Sequence, residues 1–213
     1  MKDGKSASML KQTKKRVLHV GCGSKTKAQM PIPFQSDEWD EIRFDIDKAV
    51  QADIIGTITD MHMIEAGLFD AIYSSHNIEH VYRHELPKVL SEFARVLKPE
   101  IGFAIITCPD LQSIGSRISD GRLAEPLYLS PAGPITPLDV LYGHGASIAR
   151  GNFYMAHKTG FTAKLLLDSM IRYGFSASVG IRQTQAYALW AIGFRWKATD
   201  EEKRNYRNAY LPR

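Results

Sequence analysis

Short apolar runs broken by glycine or proline alternate with amphipathic stretches along this chain. Arg16-Val17-Leu18-His19-Val20 is an apolar run stopped by Gly21-Cys22-Gly23, which predicts a buried strand ending in a glycine turn. Residues 41–45, 52–56, 69–74 and 101–107 read as a second to a fifth strand. Several lack strict alternation, as strands covered on both faces do. Between them, residues 84–97 place Leu86, Val89, Leu90, Phe93, Val96 and Leu97 on one stripe of period 3.6, predicting a helix. Pro87 falls in its first turn, where proline is tolerated, and Lys98-Pro99 ends it. Thr162 is the expected N-cap of a second helix with Leu165, Leu166, Met170 and Ile171 as its core face and Gly174 as its stop. Residues 175–183 and 185–194 then predict two strands joined as a hairpin. The expected fold is α/β: a Rossmann-like, seven-stranded, mostly parallel sheet with a terminal antiparallel hairpin.

Residues 110–160 break this rhythm. They carry Pro126, Pro131, Pro134 and Pro137, several glycines, and the aromatic residues Tyr128, Tyr142, Phe153 and Tyr154. The segment leaves from the carboxyl end of the fifth strand, where open α/β sheets bind ligands. It is therefore expected to be an ordered cap or substrate wall, with Thr136-Pro137 opening a short helix through Tyr142.

Composition narrows the class. The 213 residues are 44% hydrophobic and 23% charged, which excludes disordered, collagen-like and disulfide-scaffold proteins. Two cysteines, Cys22 and Cys108, are read as free thiols. The longest apolar runs, 101–108 and 186–194, fall short of the ~18 residues of a membrane span. No signal-peptide pattern opens the chain, so a cytoplasmic location is expected. The net charge of +4 is unevenly spread. Residues 1–16 hold six basic residues and one acid, so the rest is nearly neutral. Residues 1–15 are expected to be a basic flexible tail and 16–213 one domain. A near-neutral body argues against a nucleic-acid groove and for a small or medium-sized acceptor.

The chemistry-bearing residues follow the strands. A strand ending in Gly21-Cys22-Gly23 lets the backbone approach a ligand closely. Asp45, at the end of the next strand, can accept hydrogen bonds from both hydroxyls of a ribose. No third glycine follows Gly23, and Pro31 leaves no room for a helix aimed at a pyrophosphate. That disfavours NAD or FAD and permits a nucleoside without phosphates. Asp47 is expected to cap the following turn.

The third constellation is Phe69-Asp70-Ala71-Ile72-Tyr73, then Ser75-His76-Asn77-Ile78-Glu79-His80, then Arg95-Val96-Leu97-Lys98-Pro99. With Val17 to Gly23 and Phe44-Asp45-Ile46-Asp47, this ordered set resembles the class I S-adenosylmethionine (SAM)-dependent methyltransferases of the "type 11" kind. Thr107-Cys108-Pro109-Asp110 and the short link from Gly23 to Trp39 resemble an uncharacterised bacterial branch. The resemblance covers roughly residues 16–110. It implies SAM as cofactor, S-adenosylhomocysteine as product, and a cofactor-binding set of Gly21, Cys22, Gly23, Asp45, Ile46, Asp60, Met61 and Ser75, with no metal ligand. The acid that often follows the third strand is Thr57 here, so Asp60 or the backbone of Ile58 to Met61 takes its place near the adenine. His76, after the fourth strand, is the candidate base, with Asp110, His144 and His157 secondary.

Two other readings have a footing in the same residues. A SAM-binding domain without catalysis would serve as an interaction module. His76-x-x-Glu79-His80 also matches the H-x-x-E-H pattern of inverted zinc peptidases. That pattern needs His76 inside a helix, whereas Ile72-Tyr73-Ser74-Ser75 leads into it as a strand end.

Overall fold

Strand β1 (Lys15–Val20) runs through the middle of the sheet, and its alternation feeds two cores. Leu18 and Val20 point to one face and Val17 to the other, all fully buried. The chain, described for residues 14–212 by a computed structural model, continues through β2 (Trp39–Asp45), β3 (Ile54–Ile55) and β4 (Ala71–Ser75). Helix α1 (Leu86–Val96) leads to β5 (Phe103–Pro109), and α2 (Leu111–Ser119), the β6 (Tyr128–Ser130) and β7 (Gly133–Ile135) hairpin, α3 (Pro137–Tyr142) and α4 (Gly145–Ala149) follow. The last elements are α5 (Ala163–Arg172), β8 (Ala177–Gln183), β9 (Ala188–Phe194) and α6 (Asp200–Tyr210). The seven-stranded sheet has the order β3-β2-β1-β4-β5-β9-β8. The first five strands pair in parallel, and β9 runs antiparallel to both β5 and β8.

Helix α1 buries Leu86, Val89, Leu90, Phe93, Ala94 and Val96 against one face, each large side chain contributing about 1.5–3 kcal/mol. Helix α5 packs on the same face. Its N-cap is Thr162, whose hydroxyl accepts from the Leu165 N–H. The core stripe of α5 is Leu166, Ser169 and Met170. Leu165 and Ile171 are exposed, which corrects the expected four-residue face: they lie a helical step outside the stripe that meets β8 and β9. The opposite face is filled by an aromatic cluster of Phe34, Trp39, Phe103 and Phe194, closed by Tyr206 and Tyr210 of α6. The chain between β1 and β2 forms only 3₁₀ turns, as the Pro31 argument requires.

Segment 110–160 is ordered, but its aromatics do not supply the order: Tyr142, Phe153 and Tyr154 are more than half exposed. Capping and ion pairing hold it instead. Asp110 is fully buried, caps α2 through the Gln112 N–H, and pairs with Arg182 Nε of β8 at 2.8 Å. Thr136 and Asp139 form a reciprocal capping box at the start of α3. Most of the basic tail lies outside the described residues. Lys15, placed in that tail by its charge, begins β1. Among the described residues no helix is long and apolar enough to cross a membrane, and both cysteines are free and buried.

Candidate active site

Strands β1 and β4 are neighbours, yet the chain leaves β1 toward β2 and leaves β4 toward β5 on the other side. In open α/β sheets such a reversal opens a crevice outside the carboxyl ends, where ligands bind. A cavity of about 370 Å³ lies there. Its wall is built by Gly21 and Gly23 after β1, Asp45, Ile46 and Asp47 after β2, Thr57, Ile58 and Thr59 after β3, and His76 and Asn77 after β4. The insert adds Asn152, Tyr154, Met155 and Lys158.

The glycine turn is held from β2. Asp45 Oδ2 accepts from the Gly23 N–H at 2.8 Å and Oδ1 from the Asp47 N–H at 2.9 Å. Arg43 Nη2 donates to the Gly23 carbonyl at 2.6 Å. Gly21 has φ +61°, and a Cβ there would sit 2.6 Å from Asn77 Cγ, so the turn demands glycine on both counts. Asp47 caps the next turn through the Ala49 N–H, as expected.

His76 stands at the mouth, its side chain about half exposed, at φ +50°. Its N–H donates to the Thr107 carbonyl, which ties this left-handed residue to β5. Left-handed backbone at a non-glycine residue costs of order 1 kcal/mol and persists where surrounding structure enforces it. His76 Nδ1 is 3.3 Å from Oε1 of Glu79, a residue only 1% exposed. Burial pushes the Glu79 carboxyl up, but the His76 contact and the nearby imidazoles of His80 and His157 together outweigh it and leave it below the usual range. Asn77 Nδ2 is buried and has no hydrogen-bond partner among the described residues.

The structure thus brings Gly21, Gly23, Asp45, Ile46 and His76 to one cavity. It leaves Cys22, Asp60, Met61 and Ser75 off the lining. Cys22 is turned into the fold with Sγ 3.9 Å from Asp45 Oδ2, and burial pushes its thiol up. Met61 lies in the core, its backbone clamped by Glu92 and Arg95 of α1. The exposed Asp60 carboxylate bonds His62 Nδ1 at 3.0 Å. Ser75 Oγ pairs with Thr107 Oγ1. Asp110 serves the cap, and His144 bonds Ser147 Oγ at 2.7 Å. The H-x-x-E-H peptidase arrangement is not formed: His76 precedes a 3₁₀ turn (Ile78–His80), so His76 and His80 share no helical face.

The cavity residues suit a phosphate-free nucleoside that carries positive charge. Asp45, Asp47 and Glu85 line it, against Lys158 as the sole lysine or arginine of the wall among the described residues. Residues 6–105 match a family described as "Methyltransferase domain". The chain thus matches a methyltransferase family over these residues and shares its fold with SAM-dependent methyltransferases. Among solved structures, it is similar to a SAM-dependent methyltransferase of Methanosarcina mazei at 14% identity, covering 86% of this chain and 93% of that one with TM-score 0.54. A SAM-dependent methyltransferase from Archaeoglobus fulgidus is 14% identical, with 84% and 86% covered and TM-score 0.53. A Burkholderia thailandensis 1,6-didemethyltoxoflavin-N1-methyltransferase, solved with 1,6-didemethyltoxoflavin and S-adenosylhomocysteine, is 13% identical, with 84% and 70% covered and TM-score 0.53. No curated protein sequence matches the chain.

Sequence reasoning gave Asn77, His80 and the insert's Lys158 no place in the cavity wall, whereas Tyr154 lay in the segment expected to form one. A signal existed for Asn77, which follows His76 directly after a strand. The insert residues reach the cavity only through tertiary folding.

Proposed function

We propose that this methyltransferase domain acts on a small or medium-sized acceptor bound between His76 and the insert, with SAM held across the switch point by Asp45, Gly21, Gly23 and Asn77. Asp45 would accept from the ribose hydroxyls with the carboxylate lone pairs its two backbone contacts leave free. Ile46 and the Thr57 to Thr59 backbone flank the base. The free Asn77 amide donor would meet an acceptor atom at the methionine end. When bound, SAM supplies an electrophilic methyl group on a sulfonium. The chain's own contribution is to hold donor and acceptor in line, worth several kcal/mol. His76 is the base: Glu79 behind Nδ1 keeps the proton on that nitrogen and leaves Nε2 to take one from an acceptor hydroxyl or amine.

The observation that supports this reading most is the meeting of the glycine turn, Asp45 and His76 on one cavity at the carboxyl ends of adjacent parallel strands. Calorimetric titration tests it. S-adenosylhomocysteine should bind in the micromolar range, while NAD should not bind. Equal stabilisation by NAD, or no binding of S-adenosylhomocysteine, would sink it.

A further inference from the structure

Behind His76, the turn after β4 meets the end of the insert. The Lys158 and Thr159 N–H groups donate to the Glu79 carbonyl at 2.8 and 3.2 Å and pin the two segments together. Between them lie the Glu79 carboxylate and the imidazoles of His80 and His157. Each offers one ligand atom, and the three atoms lie within 4.8 Å of one another.

Two features set this cluster apart from an ordinary packed histidine pair. Glu79 is 1% exposed, and among the described residues its carboxylate meets only His76 Nδ1, 3.3 Å from Oε1, while Oε2 has no partner. A buried carboxylate with so few partners is costly unless a cation meets it. Both imidazoles are also oriented alike. His80 Nδ1 lies 3.1 Å from the Ala156 carbonyl, and His157 Nδ1 lies 2.8 Å from the Val140 carbonyl. A carbonyl only accepts, so each Nδ1 carries the proton and each Nε2 lone pair is free. Backbone carbonyls that fix the tautomer in this way are the usual support of metal-binding histidines. The two rings are in contact, with centroids 4.8 Å apart in a T-shaped arrangement.

We propose that Glu79, His80 and His157 form a binding site for a divalent first-row transition ion. Two imidazoles and one carboxylate suit zinc, cobalt, iron or nickel better than magnesium or calcium. Zinc–nitrogen bonds of ~2.0–2.1 Å put tetrahedral ligand atoms ~3.4 Å apart, so side-chain adjustments of about an ångström close the set. Three protein ligands leave a coordination position open, the arrangement of catalytic rather than structural zinc. His80 also lines the cavity, so that position gives onto the acceptor side. Resting on the methyl-transfer reading of that cavity, the ion would hold an acceptor through an oxygen atom and acidify it. The site goes beyond the sequence expectation, which named no metal ligand.

Full-length protein stripped with a chelator is titrated with Co²⁺, followed by its visible absorption, with Zn²⁺ as competitor. Wild type should take up about one ion per chain and release Co²⁺ to Zn²⁺. Glu79→Gln, which keeps the side-chain shape, and His157→Ala should each weaken Co²⁺ binding at least tenfold. His157 is off the cavity lining, so His157→Ala should keep its affinity for S-adenosylhomocysteine within threefold. If His157→Ala does not fold, Glu79→Gln decides. No stoichiometric uptake by wild type, or unchanged uptake in the folded variants, overturns the site. Co²⁺ uptake without S-adenosylhomocysteine binding would leave the metal site standing and remove the cofactor reading; the opposite result would do the reverse.

Discussion

Replacing Asp45 by alanine separates two jobs of one carboxylate. In the folded chain it accepts from the Gly23 and Asp47 N–H groups at 2.8 and 2.9 Å while only 8% exposed. Hydrogen bonds to a charged group are worth about 1.5–3 kcal/mol each, and the two donors regain part of that from water once the side chain is gone. A net loss of about 3 kcal/mol is expected. For a domain of this size that lowers Tm by about 6–12 °C. The ligand term comes on top. If Asp45 also receives the ribose hydroxyls, affinity for S-adenosylhomocysteine falls at least tenfold, or about 1.4 kcal/mol. Differential scanning calorimetry reads the first term and isothermal titration the second. Asp45→Asn keeps one acceptor oxygen and should fall between wild type and Asp45→Ala on both scales. A folded Asp45→Ala protein that binds S-adenosylhomocysteine within threefold of wild type would refute the ribose role. An unchanged Tm would refute the claim that this carboxylate holds the glycine turn.

Other perturbations probe other parts. His76→Ala should lower kcat by about 10²–10⁴ while leaving S-adenosylhomocysteine affinity within a few fold, measured once an acceptor turns over; undiminished kcat removes it as base. Asp110→Ala strips the α2 cap and leaves the one-third-exposed Arg182 unpaired, at a cost of about 3 kcal/mol, and a thermal melt shifted by less than 2 °C would contradict that anchoring role. His19 is 2% exposed, and burial holds its pKa below the ordinary value although Glu41 accepts its Nδ1–H at 2.6 Å and pulls the other way. The unfolded chain then binds more protons, so stability is full above about pH 6.5 and falls as pH drops toward the folded pKa. Melts between pH 7.5 and 5.5 should therefore be flatter for His19→Gln, with a residual slope from His157, which burial shifts in the same direction. An unchanged slope would show that His19 does not carry the effect.

Much of the scaffold was written locally. The run to Val20 with Gly21-Cys22-Gly23, the stripe from Leu86 to Leu97, and Thr162 as a cap each depend on residues within one or two turns of one another. Period, cap and turn chemistry act at that range, so these elements appear close to where the sequence puts them. Asp45 was legible for the same reason, as an acid at a strand end. Helix α6 was overlooked although Thr199 and Glu202 form a capping box, because it offers the core only the partly buried Tyr206 and Tyr210 in an otherwise polar segment.

Tertiary structure alone decided the rest. Neither sheet order nor the facing of Leu165 and Ile171 follows from periodicity, since both depend on which surface a helix finally meets. Met61 and Asp60 are adjacent, yet one is in the core and the other in water, a choice made by the Glu92 and Arg95 clamp on a distant helix. Most of all, His80 and His157 are 77 positions apart, and nothing between them signals that they meet. Their contact exists because the insert returns across the carboxyl ends of the strands and hydrogen-bonds to the turn after β4. Local sequence sets which groups can bind, and only chain closure sets which of them share a site.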